Sequence, residues 1–340
     1  MLKHTTAELF PIIIRPNPAK LTIAVTAHCN YSCKGCRYGR DFMVGEQLDL
    51  TTVINILDDA ATAGCTTVRL YGGEPLIHPH LAPMVEHACH LGILPYITTN
   101  GFLLKEKISA LYAAGLRVAT IGLYASGQRY DTYVGVENGY SRFERGLAFV
   151  KDKYGSDFRI QLNYLLMRET CSVETLHRAW DLAVRYDASL QIDLIHYSLP
   201  YFTEGPNREL QFRQEDNDSI REFTRELLAL KTADPQRIPE PVTSIKSIPD
   251  WLLLGPDMRI PCDAYNMIWI GADGSVQLCY AAFPLGNVHT MRLKDILFSA
   301  RHRAAAQGAF KVECQNCHCE RSTRIAKHLP SQFRYSGQFV

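Results

Sequence analysis

The chain has 340 residues, 46% of them hydrophobic, and 36 basic against 35 acidic residues leave a formal net charge of +1. That balance excludes a protein that holds nucleic acid or an anionic membrane through its overall field. No basic leader precedes an apolar stretch and no run of about 18 apolar residues occurs, so the expectation is a cytoplasmic protein with neither nucleic acid nor membrane as partner.

From residue 21 to about 197, short apolar runs alternate with longer amphipathic ones. Strands are predicted at 21–26, 67–71, 93–98, 117–123, 159–166 and 190–195, and helices at 50–63, 80–91, 104–114, 141–153 and 172–186. Thr51 is placed to cap the first helix, and Gly64, Gly92 and Gly115 fall where helices should stop. Six strands alternating with helices predict parallel pairing through right-handed crossovers, with chemistry at the C-terminal strand ends. Ahead of them, Ile12-Ile13-Ile14 reads as an edge segment packed on the body. Further on, 215–230 reads as a charged amphipathic helix and 235–256 as a proline-rich connection. Runs at 265–270 and 275–279 flank Asp273-Gly274 and predict a hairpin, followed by a helix at 293–303. The basic stretch from Arg321 to Arg334 reads as a solvated surface. The expected organisation is an N-terminal segment (1–20), an α/β core (21–200), a connecting helix and linker (201–256), and a small α+β C-terminal domain (257–340).

Eleven cysteines without a secretion signal argue against a disulfide framework. Cys65, Cys89 and Cys171 read as small buried apolar residues. The other eight form two groups. Cys29, Cys33 and Cys36 have the spacing C-x3-C-x2-C. Four thiolates close a cubane iron–sulfur cluster, so three leave one iron open to a ligand that is not protein. The second group is Cys262, Cys279, Cys314, Cys317 and Cys319, whose spacing alone would also suit tetrahedral zinc. His78, His80, His87 and His90 read as the solvated start of a helix.

The three-cysteine motif, together with Tyr71-Gly72-Gly73-Glu74-Pro75, resembles the radical S-adenosylmethionine (SAM) superfamily. The resemblance implies a partial (β/α)6 barrel whose open iron is chelated by the amino and carboxylate groups of SAM. Gly72 and Gly73 would then allow close backbone approach, and Glu74 would accept from the methionine ammonium. Thr98 and Asn100, within Thr98-Thr99-Asn100-Gly101, and Asn163 by position, become candidate SAM contacts. Gly274 five residues before Cys279, followed by Leu285-Gly286-Asn287-Val288, resembles the SPASM/Twitch extensions of that superfamily. This implies an auxiliary [4Fe–4S] cluster on Cys262, Cys279, Cys314 and Cys317. Cys319 is then inert, a replacement for Cys317, or a thiol that donates a hydrogen atom to a substrate radical.

Two positions depart from the superfamily pattern. Gly35 stands where an aromatic residue commonly packs on adenine, with Tyr31 or Tyr38 as substitutes. Gly122-Leu123-Tyr124 stands where many relatives read Ser-Leu-Asp, which makes Tyr124 a candidate substrate contact. Asp193, His196 and Tyr197, at the end of the last predicted strand, are further substrate candidates. The implied chemistry is reductive cleavage of SAM to a 5′-deoxyadenosyl radical that removes a substrate hydrogen, with electrons from an external donor such as flavodoxin or ferredoxin. Oxidation or epimerisation of a polar small molecule (a sugar, aminocyclitol or nucleoside) in a biosynthetic pathway is the expected reaction. The alternatives are radical sulfur insertion and peptide maturation; the 28 residues ahead of Cys29 are too few for a peptide-recognition domain.

Overall fold

Alternation along the strands decides which face meets the helices. In a computed structural model, which describes residues 2–197, 207–280 and 282–339, Leu21, Ile23 and Val25 share one hydrophobic core with Val68, Leu70 and residues of the helices. Ala24 and Tyr71, offset by one position, belong to a separate cluster on the opposite, inner face. The strands are β1 (Lys20–Thr26), β2 (Thr67–Gly72), β3 (Leu94–Thr99), β4 (Val118–Leu123), β5 (Arg159–Leu166), β6 (Ser189–Leu194), β7 (Met267–Ile270), β8 (Ser275–Cys279) and β9 (Ala282–Asn287). Their order is 6-5-4-3-2-1-7-8-9. β1 to β6 pair in parallel and form the partial (β/α)6 barrel.

The predicted hairpin does not stand apart. β7 pairs in parallel with β1, Lys20 opposite Met267 through Ile23 opposite Ile270, and β8 and β9 continue antiparallel. One sheet therefore runs from core into extension. β9 takes in most of the Leu285-Gly286-Asn287-Val288 segment, which carries no strand in the sequence reading. Its alternation is masked by Phe283, at φ 65°, and by Pro284, which lacks the N–H of an interior strand and suits this edge position.

Other elements differ in detail. Asp49, not Thr51, caps the helix Leu50–Thr62, its carboxylate accepting from the Thr52 N–H at 2.8 Å. The helix expected at 293–303 is two helices, Leu293–Ile296 and Ala300–Phe310, separated at Phe298 with φ 59°. The connection at 235–256 contains two short helices, Val242–Lys246 and Ile248–Leu254, the latter burying Trp251. Of the isoleucine triplet only Ile14 is buried, packing with Ala7, Tyr265, Ala306 and Phe310. A helix at Leu2–Leu9 leads into it, and His4 Nε2 lies 2.9 Å from Asp263 Oδ1, so the first residues clasp the C-terminal extension. His78 is buried with Nε2 3.0 Å from the Leu48 carbonyl, and His87 pairs with Asp58 at 2.7 Å, so that helix start is less solvated than predicted. Cys65 is buried, while Cys89 and Cys171 are half-buried.

His302, on Ala300–Phe310, is fully buried; its Nδ1 accepts from the Phe298 N–H at 3.0 Å, and burial pushes its pKa down to about 4. Because the unfolded side chain titrates near 6.5, its contribution is present above that pH and is lost as the pH falls toward 4. His302→Gln is expected to flatten the fall in thermal unfolding midpoint between pH 6.5 and 4, removing an effect of up to about 3 kcal/mol.

Candidate active site

The three-cysteine loop leaves the C-terminal end of β1 and is stitched to the end of β2. The Gly73 N–H donates to the Thr26 carbonyl and the Glu74 N–H to the His28 carbonyl, each at 2.8 Å. Gly72 sits at φ 140°, and a Cβ on Gly73 would lie 2.2 Å from the His28 oxygen and 2.6 Å from that of Ala27. Only a hydrogen fits there. Gly73→Ala is therefore expected to displace the loop and leave about four of about eight irons per chain, as read by iron and sulfide assay.

Glu74 is fully buried. Its carboxylate accepts from the Leu76 N–H (2.9 Å), the Thr99 hydroxyl (2.7 Å) and the Asn100 N–H (2.7 Å), tying β2 to β3. Burial raises its pKa to about 7 against the pull of those donors. Three of its roughly four acceptor positions are thereby taken, leaving one for a ligand. Asn100 also donates to Asn30 Oδ1 at 2.9 Å and reaches Cys29 Sγ at 3.9 Å. Burial raises all three cysteine thiols; Cys33 is raised further by Cys29 and Cys36, and Cys29 by Glu74 and Cys36. Three sulfurs close enough to repel one another as thiolates are a donor set that iron ions would neutralise, so the loop fits the cluster.

The tyrosines near this loop are packed. Tyr31 is buried edge-on against Phe102, ring centroids 5.6 Å apart. Tyr38 is buried, its hydroxyl 3.2 Å from Met43 Sδ. Tyr124 stacks on Tyr133 at 4.9 Å, and its acidity is weakened by burial and by the charges of Cys33, Cys36 and Cys29. A Cβ on Gly122 would fall 2.4 Å from the Tyr124 hydroxyl, which accounts for glycine at that position. Tyr124 thus sits with the cluster loop. A cleft of about 510 Å3 opens beside it, lined in part by Lys34, Arg129, Glu169 and Arg178.

A second set of polar side chains occupies the inner face. Asn163 Nδ2 donates to Asp193 Oδ2 at 3.0 Å, which groups Asn163 with the candidate substrate residues. Thr98 accepts from Arg69 Nε at 2.8 Å, and Arg69 Nη1 donates to the Tyr280 hydroxyl at 2.6 Å. Arg69 escaped sequence reasoning although a cation between Val68 and Leu70 is the period-2 signature of an inward position. The ring of His196 stacks on that of His318 at 4.2 Å. Tyr197 instead turns to the connecting segment, its hydroxyl accepting from the Phe212 N–H at 3.1 Å.

The C-terminal cysteines converge as well. Cys262 is raised by burial and by Cys317 and Cys279, while Arg324 opposes the rise. Cys314 is raised by burial and by Cys317. A side-chain hydrogen bond joins Cys319 to Cys317, lowering Cys317 and raising Cys319, whose neighbours also include Cys279 and Asp193. Arg324 is 1% exposed; it donates to the Cys317 carbonyl and to Asn316 Oδ1 (3.0 Å), with its guanidinium 4.8 Å from the Trp251 ring centroid. Arg321 is buried too, so the start of the basic stretch is not a solvated surface: both cations have fixed acceptors inside the fold. A buried cation among thiols suits a group that carries thiolates.

A parallel partial barrel with three thiols after its first strand and more thiols on an attached antiparallel extension defines an iron–sulfur enzyme of the α/β class. The chain belongs to the radical SAM superfamily: residues 23–176 match that superfamily, and residues 262–319 match the SPASM iron–sulfur cluster-binding domain. Its cofactors are SAM with a [4Fe–4S] cluster in the first domain, with auxiliary iron–sulfur binding in the second. It is similar to the AdoMet-dependent heme synthase of Methanosarcina barkeri, 27% identical over 49% of this chain and 47% of that protein. It is also similar to the GTP 3′,8-cyclase of Picosynechococcus, 26% identical over 82% of this chain and 84% of the cyclase. The chain spans about half the length, or less, of the first curated relatives it matches. Among solved structures, Streptococcus suis SuiB bound to its precursor peptide SuiA superposes with a TM-score of 0.65 at 16% identity, covering 90% of this chain and 70% of SuiB, which shows the shared fold. Among the described residues no helix is long and apolar enough to cross a membrane.

Proposed function

We propose that this enzyme oxidises or epimerises a carbon of a polar small molecule, such as a sugar, aminocyclitol or nucleoside, bound against the inner face near the end of β6. When bound, SAM and the two clusters supply a 5′-deoxyadenosyl radical and a one-electron sink. Cys29, Cys33 and Cys36 would hold the first cluster, and Gly72, Gly73, Glu74 and Asn100 would frame SAM. Cys262, Cys279, Cys314 and Cys317 would hold the auxiliary cluster. The observation that carries the reading is the run of polar groups on the inner face, Arg69 with Thr98 and Asn163 with Asp193, leading to Cys319. Such donors and acceptors orient hydroxyl or amino groups better than apolar side chains, and orientation is what a radical abstraction asks of the protein. In this reading Cys319, whose thiol feels the charges of Cys317 and Asp193, would return a hydrogen atom to the substrate. The likeness to GTP 3′,8-cyclases supports radical chemistry on a polar nucleotide-sized molecule. Residues 21–200 would form the radical-generating core, 201–256 a connection and 257–340 the auxiliary domain. A cytoplasmic location with a flavodoxin or ferredoxin donor belongs to the same reading.

The test is anaerobic turnover with SAM, a one-electron reductant and a panel of sugars, aminocyclitols, nucleosides and peptides. A polar small molecule should stimulate 5′-deoxyadenosine formation and either lose two hydrogens or take up one deuterium from solvent at unchanged skeleton. Stimulation by peptides alone would replace this reading with peptide maturation. Cys319→Ala should abolish deuterium uptake while leaving 5′-deoxyadenosine formation and iron content intact.

A further inference from the structure

We propose that Asp193, His196 and His318 form a mononuclear divalent-metal site between the end of β6 and the auxiliary thiols. One donor atom from each residue lies within 4.8 Å of the other two. A first-row dication with bonds of about 2.1 Å spaces its ligand atoms about 3–3.5 Å apart. A modest adjustment of three side chains therefore closes the set on one ion.

His318 carries the argument. Its residue is 7% exposed, and its Nε2 is buried with no hydrogen-bond partner among the described residues. An orphaned buried nitrogen is destabilising, so it needs an explanation. The same ring also meets the backbone of Leu194, which steadies it. Metal-ligating histidines commonly combine one nitrogen on the metal with a second bond to a backbone or carboxylate oxygen. Asp193 is prepared similarly: Asn163 Nδ2 donates to Oδ2 at 3.0 Å and the Leu194 N–H donates to Oδ1 at 3.1 Å. His196, stacked on His318, brings the third donor.

The surrounding charges limit affinity without excluding the ion. Arg321 and Arg324 both face His318, and Arg69 faces Asp193. Each has other acceptors: Arg321 holds the Glu240 carboxylate, Arg324 the Cys317 carbonyl and Asn316, and Arg69 Thr98 and Tyr280. Two imidazoles and one carboxylate favour zinc, cobalt, nickel or ferrous iron over magnesium or calcium. Three protein ligands leave further positions open, where paired oxygens of a polyol or nucleoside could coordinate. Only that last step rests on the proposed small-molecule substrate.

The test uses protein with both clusters fully loaded, so that the thiols are occupied, equilibrated anaerobically with cobalt(II) alone. About one cobalt per chain should be retained, with visible ligand-field bands and no thiolate-to-cobalt charge transfer. His318→Gln and Asp193→Asn should abolish that retention, and Asn163→Ala should weaken it about 10–100-fold, all at unchanged iron content. Failure of the wild type to retain cobalt, retention undiminished in His318→Gln, or cobalt bands of thiolate type would each overturn the site. If cobalt binds as expected but only peptides stimulate 5′-deoxyadenosine formation, the metal site stands and the small-molecule reading falls.

Discussion

Replacing Cys29, Cys33 and Cys36 together by alanine is expected to halve the iron content after anaerobic reconstitution, from about eight to about four per chain, and to reduce SAM cleavage to background. The three thiols lie on one loop fastened to β2 through Thr26 and His28, and the groups that act on Cys29 and Cys33 include Cys36, Glu74 and Arg40, all within the first hundred residues. The second group has its own support in Arg324, which grips the Cys317 carbonyl and Asn316 from the helix Arg321–Lys327 that directly follows the cysteine segment. The two sites should therefore load independently. Iron and sulfide assays on wild type and variant decide it. A wild type with about four irons and a variant with none would mean that the C-terminal thiols hold no cluster, and every role given to an auxiliary electron acceptor would go with it.

How far the sequence spoke depended on whether a feature is local. Cysteine spacing and the Gly72-Gly73-Glu74 step are local, and both appear at strand ends as expected because a glycine that must approach the Thr26 and His28 carbonyls can be nothing else. The six parallel strands were legible for a similar reason, since the alternation of Val68 and Leu70 with Arg69 and Tyr71 is written into the strand itself. What remained hidden depends on contacts between distant segments. β7 docks on β1 across more than two hundred residues, and no pattern in either strand names its neighbour. Asn163 was read toward SAM by position, yet its amide bonds Asp193 on the adjacent strand. Arg321 and Arg324 looked like solvent-facing charges because composition alone does not reveal a buried acceptor. His318, between two cysteines, was overshadowed by them, although a histidine that close to a strand end carrying Asp193 and His196 becomes informative once the chain is folded.

Glu240→Ala is expected to destabilise the fold by about 3–5 kcal/mol, because it leaves the Arg321 guanidinium buried without its counter-charge. Arg321 is 6% and Glu240 4% exposed. Nη2 of Arg321 meets both carboxylate oxygens at 2.8 Å and the Ile192 carbonyl of β6 at 3.0 Å, while Nη1 reaches the Ser244 carbonyl at 3.2 Å. One side chain thus pins the helix Arg321–Lys327 to the last barrel strand and to the connecting helices. The energetic weight lies in the broken pair more than in the intact one, since desolvating both ions offsets much of their attraction. The double variant Arg321→Met with Glu240→Leu should for that reason be less destabilised than Glu240→Ala alone. For a chain of this length the single variant should lower the unfolding midpoint by about 4–7 °C under anaerobic conditions, and the double variant by less. Equal losses in the two would show that packing at this junction, and not the uncompensated charge, sets its stability. The position of the pair adds a functional consequence: Ile192 immediately precedes Asp193, and Arg321 follows Cys319 by two residues. Glu240→Ala should therefore also weaken cobalt retention by Asp193 and His318, at an iron content that stays near the wild-type value, because the strand end and the cysteine segment that carry those ligands are held in register by this ion pair.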